Sequence, residues 1–312
     1  MRMNIINSSI AIVFAFVFAV HSGNAQPPLD SPKLTVTIVG SGGGPRVDLQ
    51  RYGPSILVQA GDQTLLFDCG RGATIRLTEM GIPLPQVDKV FLTHLHSDHV
   101  IGLPDLLLSP WAAPGRVMPL EVWGPAGTQE MMEYLSRAFS FDIRIRGASR
   151  PVDGVQALSH DVDEGIIFDR DGVKVTAILV DHGPTKPALG YRVDYGEHSV
   201  ALSGDTRFSE NLISAAEGVD VLIHEAFEPP ANMANPERLE RLLAQHVSVD
   251  QMGAIFTRVN PRLAVFAHAP SLTEDGLRRT REAYSGRVIQ SEDLMTIEIG
   301  DSIEVIPFER TR

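Results

Sequence analysis

Three histidines and one aspartate lie close together in the segment Thr93–His99, whose sequence is THLHSDH. In an extended chain, alternate side chains lie on one face, so His94 and His96 can reach a common point. Asp98 follows at the predicted start of a helix, where it can face a second point close by. Neutral imidazoles and carboxylates are good ligands for zinc, manganese or iron. The spacing therefore predicts a metal site.

The remaining candidate groups favour the same chemistry. Cys69 is the single cysteine of the chain, so neither an internal disulfide nor a thiolate metal cage can form. We expect Cys69 to be a packed residue rather than a nucleophile. Four further histidines lie at or just past the ends of predicted strands or at a helix start, where loops present side chains to functional sites. They are His182, His224, His246 and His268.

These motifs resemble the metallo-β-lactamase fold family, whose HxHxDH signature matches residues 94–99. The following Gly102-Leu103-Pro104 resembles the ribonuclease Z branch of that family. Further matches occur, in order along the chain, at Phe67–Gly70, Asp181–Gly183, Ser203–Arg207, His224–Ala226, His246–Ser248 and Ala267–His268. The resemblance implies an α/β fold, a four-layer αββα sandwich in a single domain, with a metal centre in the cleft between its sheets.

The resemblance also implies a role for each site residue. The first metal would be held by His94, His96 and His182, the second by Asp98, His99 and His268, and both by Asp205. We expect two divalent ions, zinc in the first place, with manganese or iron as alternatives. Such a pair lowers the pKa of a bridging water, so that hydroxide is available near neutral pH.

Further catalytic roles are implied at the same centre. His246 resembles a histidine that stabilises the transition state or protonates the leaving group, and Glu225 is the acid that would orient it. Asp98 would double as a proton acceptor. Asp68 is expected to fix a loop or the tautomer of a histidine. For His246 and Glu225, a purely structural hydrogen bond is the alternative.

The elements that must position these residues follow from hydrophobic periodicity and turn signals. The pattern predicts strands over Leu34–Val39 and Val87–Leu92, and an amphipathic helix over Thr128–Phe139. Residues 166–203 have the pattern of successive hairpins. Leu277–Tyr284 is predicted to be a helix near the carboxyl end. Strands and helices interleave in both halves, as a layered sandwich requires.

The first 25 residues have the pattern of a secretory signal. Arg2 supplies a positive start, residues 10–20 form an apolar run, and Gly23–Ala25 places small residues before a cleavage site. The run is too short to span a bilayer. We expect cleavage after Ala25, a hydrolase domain over residues 26–312, no membrane anchor, and a periplasmic or secreted protein.

Two features lead us to expect a substrate other than tRNA. Ribonuclease Z enzymes carry a long arm between the residues matching His182 and Asp205, whereas here that segment is short and has a strand–turn–strand pattern. The net charge of −12 also provides no basic surface for a long phosphate backbone. We therefore expect a small anionic ester as substrate, either a phosphodiester or an aryl sulfate, and no extended nucleic acid as partner. The sequence allows a homodimer.

Two alternatives to this function stay open. The same metal centre suits hydrolysis of a lactone or a β-lactam ring. A non-catalytic exported metal-binding protein is the third hypothesis, and the suitable residue at every ligand position argues against it.

Overall fold

The computed structural model describes residues 33–113 and 115–309. The chain from Pro32 onward forms one compact unit. The proposed signal, residues 1–25, lies outside the described residues, so cleavage after Ala25 and export stay predictions. Within the described ranges, no helix is both long enough and apolar enough to cross a membrane.

Two mixed sheets form the centre of the molecule. The strands are β1 Leu34–Gly40, β2 Ser55–Ala60, β3 Gln63–Phe67, β4 Lys89–Phe91, β5 Leu120–Gly124, β6 Ala157–Asp161, β7 Gly165–Arg170, β8 Val173–His182, β9 Thr185–Tyr195, β10 His198–Leu202, β11 Val221–His224, β12 Leu263–Phe266, β13 Val288–Gln290, β14 Thr296–Ile299 and β15 Ile303–Ile306. The first sheet has the order β15-β14-β1-β2-β3-β4-β5-β6, and the second has the order β13-β12-β11-β10-β9-β8-β7.

Helices flank the two sheets, and those with buried residues cover the outer faces of the sheets. They are α1 Ala73–Glu79, α2 Ser97–Val100, α3 Leu103–Ala112, α4 Thr128–Ala138, α5 Ser140–Gly147, α6 Glu210–Ala215, α7 Pro236–Leu243, α8 Val249–Val259 and α9 Glu274–Ala283. Two short 3-10 helices span Leu84–Gln86 and Val152–Val155.

The alternation of side chains along the central strands creates the four layers. In β3, Leu65 and Phe67 belong to the core between the sheets, whereas Leu66 packs under the helices of the first sheet. In β10, Leu202 points into the same central core and Ala201 points toward the helices of the second sheet. Because both faces of these strands are covered, the last three residues of β3 and of β10 are all apolar. The predicted αββα sandwich in a single domain is confirmed.

Both sheets contain parallel strands whose carboxyl ends point toward one cleft. In the first sheet β3, β4 and β5 are parallel neighbours, and in the second β10, β11 and β12 are. Every predicted metal ligand except His182 lies in a segment that directly follows one of these strands. In α/β folds the crevice beyond the carboxyl ends of parallel strands is where ligands bind. The fold therefore gathers these segments at one edge.

The segment between His182 and Asp205 contains only strands and short turns. Strand β8 ends at His182, and β9 begins at Thr185, directly after the turn. The two strands then pair antiparallel along most of their length. The short strand–turn–strand pattern that the sequence predicts is therefore present, with no arm inserted in it.

Several boundaries differ from the predictions for local reasons. Helix α9 begins at Glu274, earlier than predicted, because the Thr273 side chain accepts a hydrogen bond from the backbone N–H of Gly276 at 3.1 Å and caps the first turn. The sequence analysis did not predict α5, which has no buried residue and hence no apolar stripe.

Candidate metal centre

The structure brings all seven predicted metal ligands together at the cleft. Within each group below, one ligand atom per residue lies within 4.8 Å of the others. The groups are His94, His96 and His182; Asp98, His99 and His268; and His94, His99 and Asp205. The third group shares members with the first two, so the ligand sets adjoin one another.

Asp205 lies between the two histidine groups and faces each with a different oxygen. Its Oδ2 is 3.9 Å from Nε2 of His94 and 3.8 Å from Nε2 of His182. Its Oδ1 is 3.5 Å from both Nε2 of His99 and Nδ1 of His268. The neighbouring imidazoles hold the pKa of this carboxyl well below its usual range, although burial alone would raise it. This is the placement that the bridging role of Asp205 requires.

Hydrogen bonds fix the outward-facing nitrogen of two histidines in the first group. Nδ1 of His182 donates to the carbonyl oxygen of Gln245 at 2.8 Å. Nε2 of His96 lies 3.1 Å from the hydroxyl of Thr185, with Nδ1 directed at His94 and His182. Such contacts set the tautomer, so that the other nitrogen keeps its lone pair for a metal.

Asp68 holds a third histidine in the same way. Its Oδ2 accepts from Nδ1 of His99 at 2.7 Å and from the Thr93 hydroxyl at 2.9 Å, and its Oδ1 accepts from the Thr93 backbone N–H at 2.8 Å. The Thr93 hydroxyl also lies 3.0 Å from Nδ1 of His94. Asp68 therefore has the contacts expected of a residue that fixes a histidine tautomer.

Two buried atoms in the centre have no hydrogen-bond partner. They are Nε2 of His99 and Oδ1 of Asp205, which face each other at 3.5 Å. Burying such polar atoms without a partner is energetically expensive, so unsatisfied groups of this kind call for a missing ligand. Burial also holds the pKa of His94 well below its usual value, which keeps the imidazole in the neutral form that binds metals. The residues present therefore fit divalent metal ions.

His246 and Glu225 form a pair beside the metal ligands. Nδ1 of His246 donates to both carboxylate oxygens of Glu225, at 2.9 and 3.1 Å, and the backbone N–H of Thr206 donates to Oε1 at 2.8 Å. Burial alone would lower the pKa of His246, but the facing carboxylate raises it to about 9. The imidazole is therefore protonated at neutral pH and its orientation is fixed.

Two residues near the centre are held by packing. Burial lowers the pKa of His224 to about 4, and its Nδ1 donates to the backbone oxygen of Glu225 at 2.8 Å. Cys69 is buried, which raises the pKa of its thiol and leaves it unreactive.

Four large aromatic residues that follow the metal motif in the chain do not line the cleft above the metal ligands. Trp111 and Trp123 are buried in the core. Phe139 and Phe141 are exposed and lie at the junction of α4 and α5, outside the cleft above the metal ligands.

The cleft above the ligands has a volume of about 730 Å³. Thr185 and the cleft residues Arg46, Phe227 and Arg238 were not predicted from the sequence. Arg46 follows a glycine-rich segment that predicts only a wide turn. Arg238 lies on an exposed helix without a motif. No sequence signal pointed to these residues, because their relation to the centre exists only in the folded chain.

The chain is similar to a known protein family, to curated relatives and to solved structures. Residues 63–269 match the model of the β-lactamase superfamily domain. The ribonuclease Z of Mycobacterium sp. (strain KMS) is 34% identical over 283 residues, covering 88% of this chain and 99% of the relative. The metallo-β-lactamase fold protein YhfI from Bacillus subtilis superposes with a TM-score of 0.68 at 21% identity, covering 86% of this chain and 100% of that one. Human tRNase Z, short form, superposes with a TM-score of 0.63 at 21% identity, covering 84% and 98%.

These relatives contradict two expectations drawn from the sequence. We expected a small anionic ester rather than tRNA as the substrate, and no extended nucleic acid as partner. A relative that aligns over almost its whole length is instead named ribonuclease Z. Aryl sulfate as a substrate gains no support from these relatives.

Both arguments behind those expectations fail for physical reasons. The Mycobacterium relative aligns over 99% of its length, so it has no room for a long additional arm either. The short segment after His182 therefore does not exclude that function. The net charge averages over the whole surface, whereas binding depends on the local field of a cleft. Here Arg46 and Arg238 are among the residues that line the cleft.

Proposed function

We propose that this chain, which belongs to the β-lactamase superfamily and is similar to ribonuclease Z, is a metal-dependent hydrolase of RNA phosphodiester bonds. A precursor tRNA with a 3′ extension is the first substrate to test. One observation carries the proposal: Asp205 faces one histidine group with each of its carboxylate oxygens. A centre of that design suits displacement at a phosphate, where the attacking and the leaving oxygen both develop charge.

We assign two divalent ions, zinc in the first place, to the ligand groups. The proposed ligands are His94, His96 and His182 for one ion, Asp98, His99 and His268 for the other, and Asp205 for both. Divalent ions bound there supply Lewis acidity toward a phosphate oxygen and lower the pKa of water.

His246 is the proposed general acid. It carries a proton at neutral pH, and Glu225 holds its Nδ1, so that Nε2 is left to donate to the departing oxygen. The ring of His246 lies 5.0 Å from that of His182, centroid to centroid, which places the acid directly beside the ligand groups. Thr206 fixes Glu225 in turn through its backbone N–H.

Asp98 is the proposed proton acceptor. Its Oδ2 lies 3.6 Å from both Nε2 of His99 and Nε2 of His268. Burial raises the pKa of this carboxyl, but the two imidazoles outweigh that effect and lower it. Asp98 therefore stays ionised at the pH at which the enzyme would act.

Cleavage of a 3′-extended tRNA by zinc-loaded and manganese-loaded protein tests the proposal. We expect cleavage with at least one metal, loss of cleavage with a chelator, and loss in Asp205→Ala. Since water rather than the neighbouring 2′-hydroxyl attacks, a 2′-deoxy nucleotide at the cleaved bond should still be cut. His160→Ala is the matched control, because His160 is an exposed histidine on β6, outside the ligand groups. Metal-loaded protein that leaves every RNA intact would rule the proposal out.

A further inference from the structure

The cleft above the ligand groups is larger than a single phosphate needs. Its volume of about 730 Å³ falls in the range of about 300–1,000 Å³ typical of pockets that enclose whole organic ligands. The loop of residues 43–46 forms one side of the cleft, and the backbone N–H of Gly44 donates to Nε2 of His268 at 3.3 Å. Residues 226–245, here called the cleft wall, contribute further residues to the lining. Both segments therefore line the same cavity as the ligands His96, Asp98, Asp205 and His268.

The cleft wall presents apolar side chains to the cleft. Phe227, Met233 and Leu242 line the cleft and are each partly exposed. The Phe227 ring lies 6.5 Å from the ring of His246, centroid to centroid. An apolar surface offers nothing to a phosphate, but it fits the face of a nucleobase, which stacks on aromatic side chains in single-stranded RNA.

Arg238 provides the charge that such a surface lacks. Arg238 lines the cleft, and its guanidinium makes no hydrogen bond or ion pair within residues 33–113 and 115–309. Arg279, in contrast, pairs with Glu228 and Asp250. A guanidinium without a carboxylate partner matches the geometry of a phosphate.

Both ends of the cleft wall are tied to the centre. Near one end, the backbone N–H of Phe227 donates to the oxygen of Val247 at 2.9 Å, and Glu228 accepts from the backbone N–H of Thr273 at 2.6 Å. At the other end, the oxygen of Gln245 accepts from His182. Hydrogen bonds therefore anchor both ends of the wall, and one of them is made to the proposed ligand His182.

We propose that the cleft wall binds the nucleotide that carries the leaving oxygen: its base packs on Phe227, Met233 and Leu242, and an adjacent phosphate pairs with Arg238. The leaving side is assigned because Phe227 lies beside His246, the proposed acid. This inference rests on the proposed hydrolysis of RNA, and it specifies where one nucleotide of the substrate binds.

Arg238→Gln, compared with Arg241→Gln, tests the phosphate contact. Arg241 lies on the same helix and is exposed, but it does not line the cleft. With metal-loaded protein and 3′-extended tRNA, Arg238→Gln should raise KM about tenfold and reduce the slope of log KM against log salt by about 0.7. The rise in KM that Arg238→Gln causes should be several-fold smaller with bis(p-nitrophenyl) phosphate, which has one phosphate. Equal KM shifts in the two variants would overturn the contact.

Phe227→Leu tests the base contact with three substrates: the intact tRNA and two versions that lack one base, directly 5′ or directly 3′ of the cleaved bond. Base stacking on an aromatic side chain is worth about 1–3 kcal/mol, so we expect at least a fivefold rise in KM with intact tRNA. The rise should disappear when the base on the leaving side is missing. The same rise with all three substrates would refute the base contact. Failure of the wild-type protein to cut any RNA would instead refute the proposed function.

Discussion

The metal ligands and the cleft wall face the same cavity but are built in opposite ways. The proposed ligands His94, His99, His182 and Asp205 are buried, and all but His182 follow the carboxyl end of a parallel strand. In the cleft wall, α7 has no buried residue. These four side chains therefore cannot move without disturbing both sheets, whereas α7 can change its sequence at little cost to the fold. In the proposed function, the buried ligands determine the chemistry and α7 contributes to the choice of substrate.

The largest effect on activity should come from the pair His246 and Glu225, because His246 lies beside both the proposed ligand His182 and Phe227 of the cleft wall. Glu225→Gln removes the charge that raises the pKa of His246, so we expect a loss in kcat of about 10²-fold or more. Activity that needs protonated His246 is present below its pKa of about 9 and is lost as the pH rises through that value. In Glu225→Gln the alkaline limb of the pH profile should therefore move to lower pH, measured as kcat/KM from pH 6 to 10. An unchanged limb would contradict the assignment of His246 as the acid.

A smaller effect is expected where a hairpin turn supports a ligand. Thr185→Val removes the oxygen that accepts from Nε2 of His96, and loss of such a contact typically weakens metal binding by about 10–100-fold. Titration of the protein with zinc against a chromophoric chelator measures this without an activity assay. Thr185→Ser keeps the oxygen and should restore most of the affinity. If Thr185→Val and Thr185→Ser bind zinc equally, the hydroxyl has no role in orienting His96.

The smallest effect should be on stability, in the exposed helix of the wall. Leu243→Ala removes a side chain that is 40% exposed, so we expect a change in the free energy of unfolding within about 0.5 kcal/mol. Leu66→Ala, a fully buried leucine of β3, should cost about 2–5 kcal/mol. Urea unfolding of the two variants makes the comparison. Similar losses for both would show that the wall is part of the folding core.

The sequence predicted the fold well wherever a strand or helix has an apolar side. Strand β1 and helix α4 lie within one residue of their predicted bounds, because β1 is buried along its length and α4 packs Met131, Met132 and Leu135 on one face. The same reasoning missed α5 and β6, whose side chains are mostly exposed. The fold class followed from the order of the motifs. The prediction of the substrate was wrong because it used the net charge of the whole chain, whereas binding depends on the charge of the local surface.

What the sequence determined by itself is the donor set. His94, His96, Asp98 and His99 are close in sequence, so their side chains must be close in space, and the presence of a single cysteine left histidine and aspartate as the candidate ligands. Only the tertiary structure decided what holds and surrounds them. Thr185, the Gln245 carbonyl and the apolar side of the cleft wall lie far from that segment in the chain. Each reaches the centre because β8 and β11 end, and β9 begins, at one cleft. Contacts between distant segments depend on which strands pair, and local sequence pattern does not specify that.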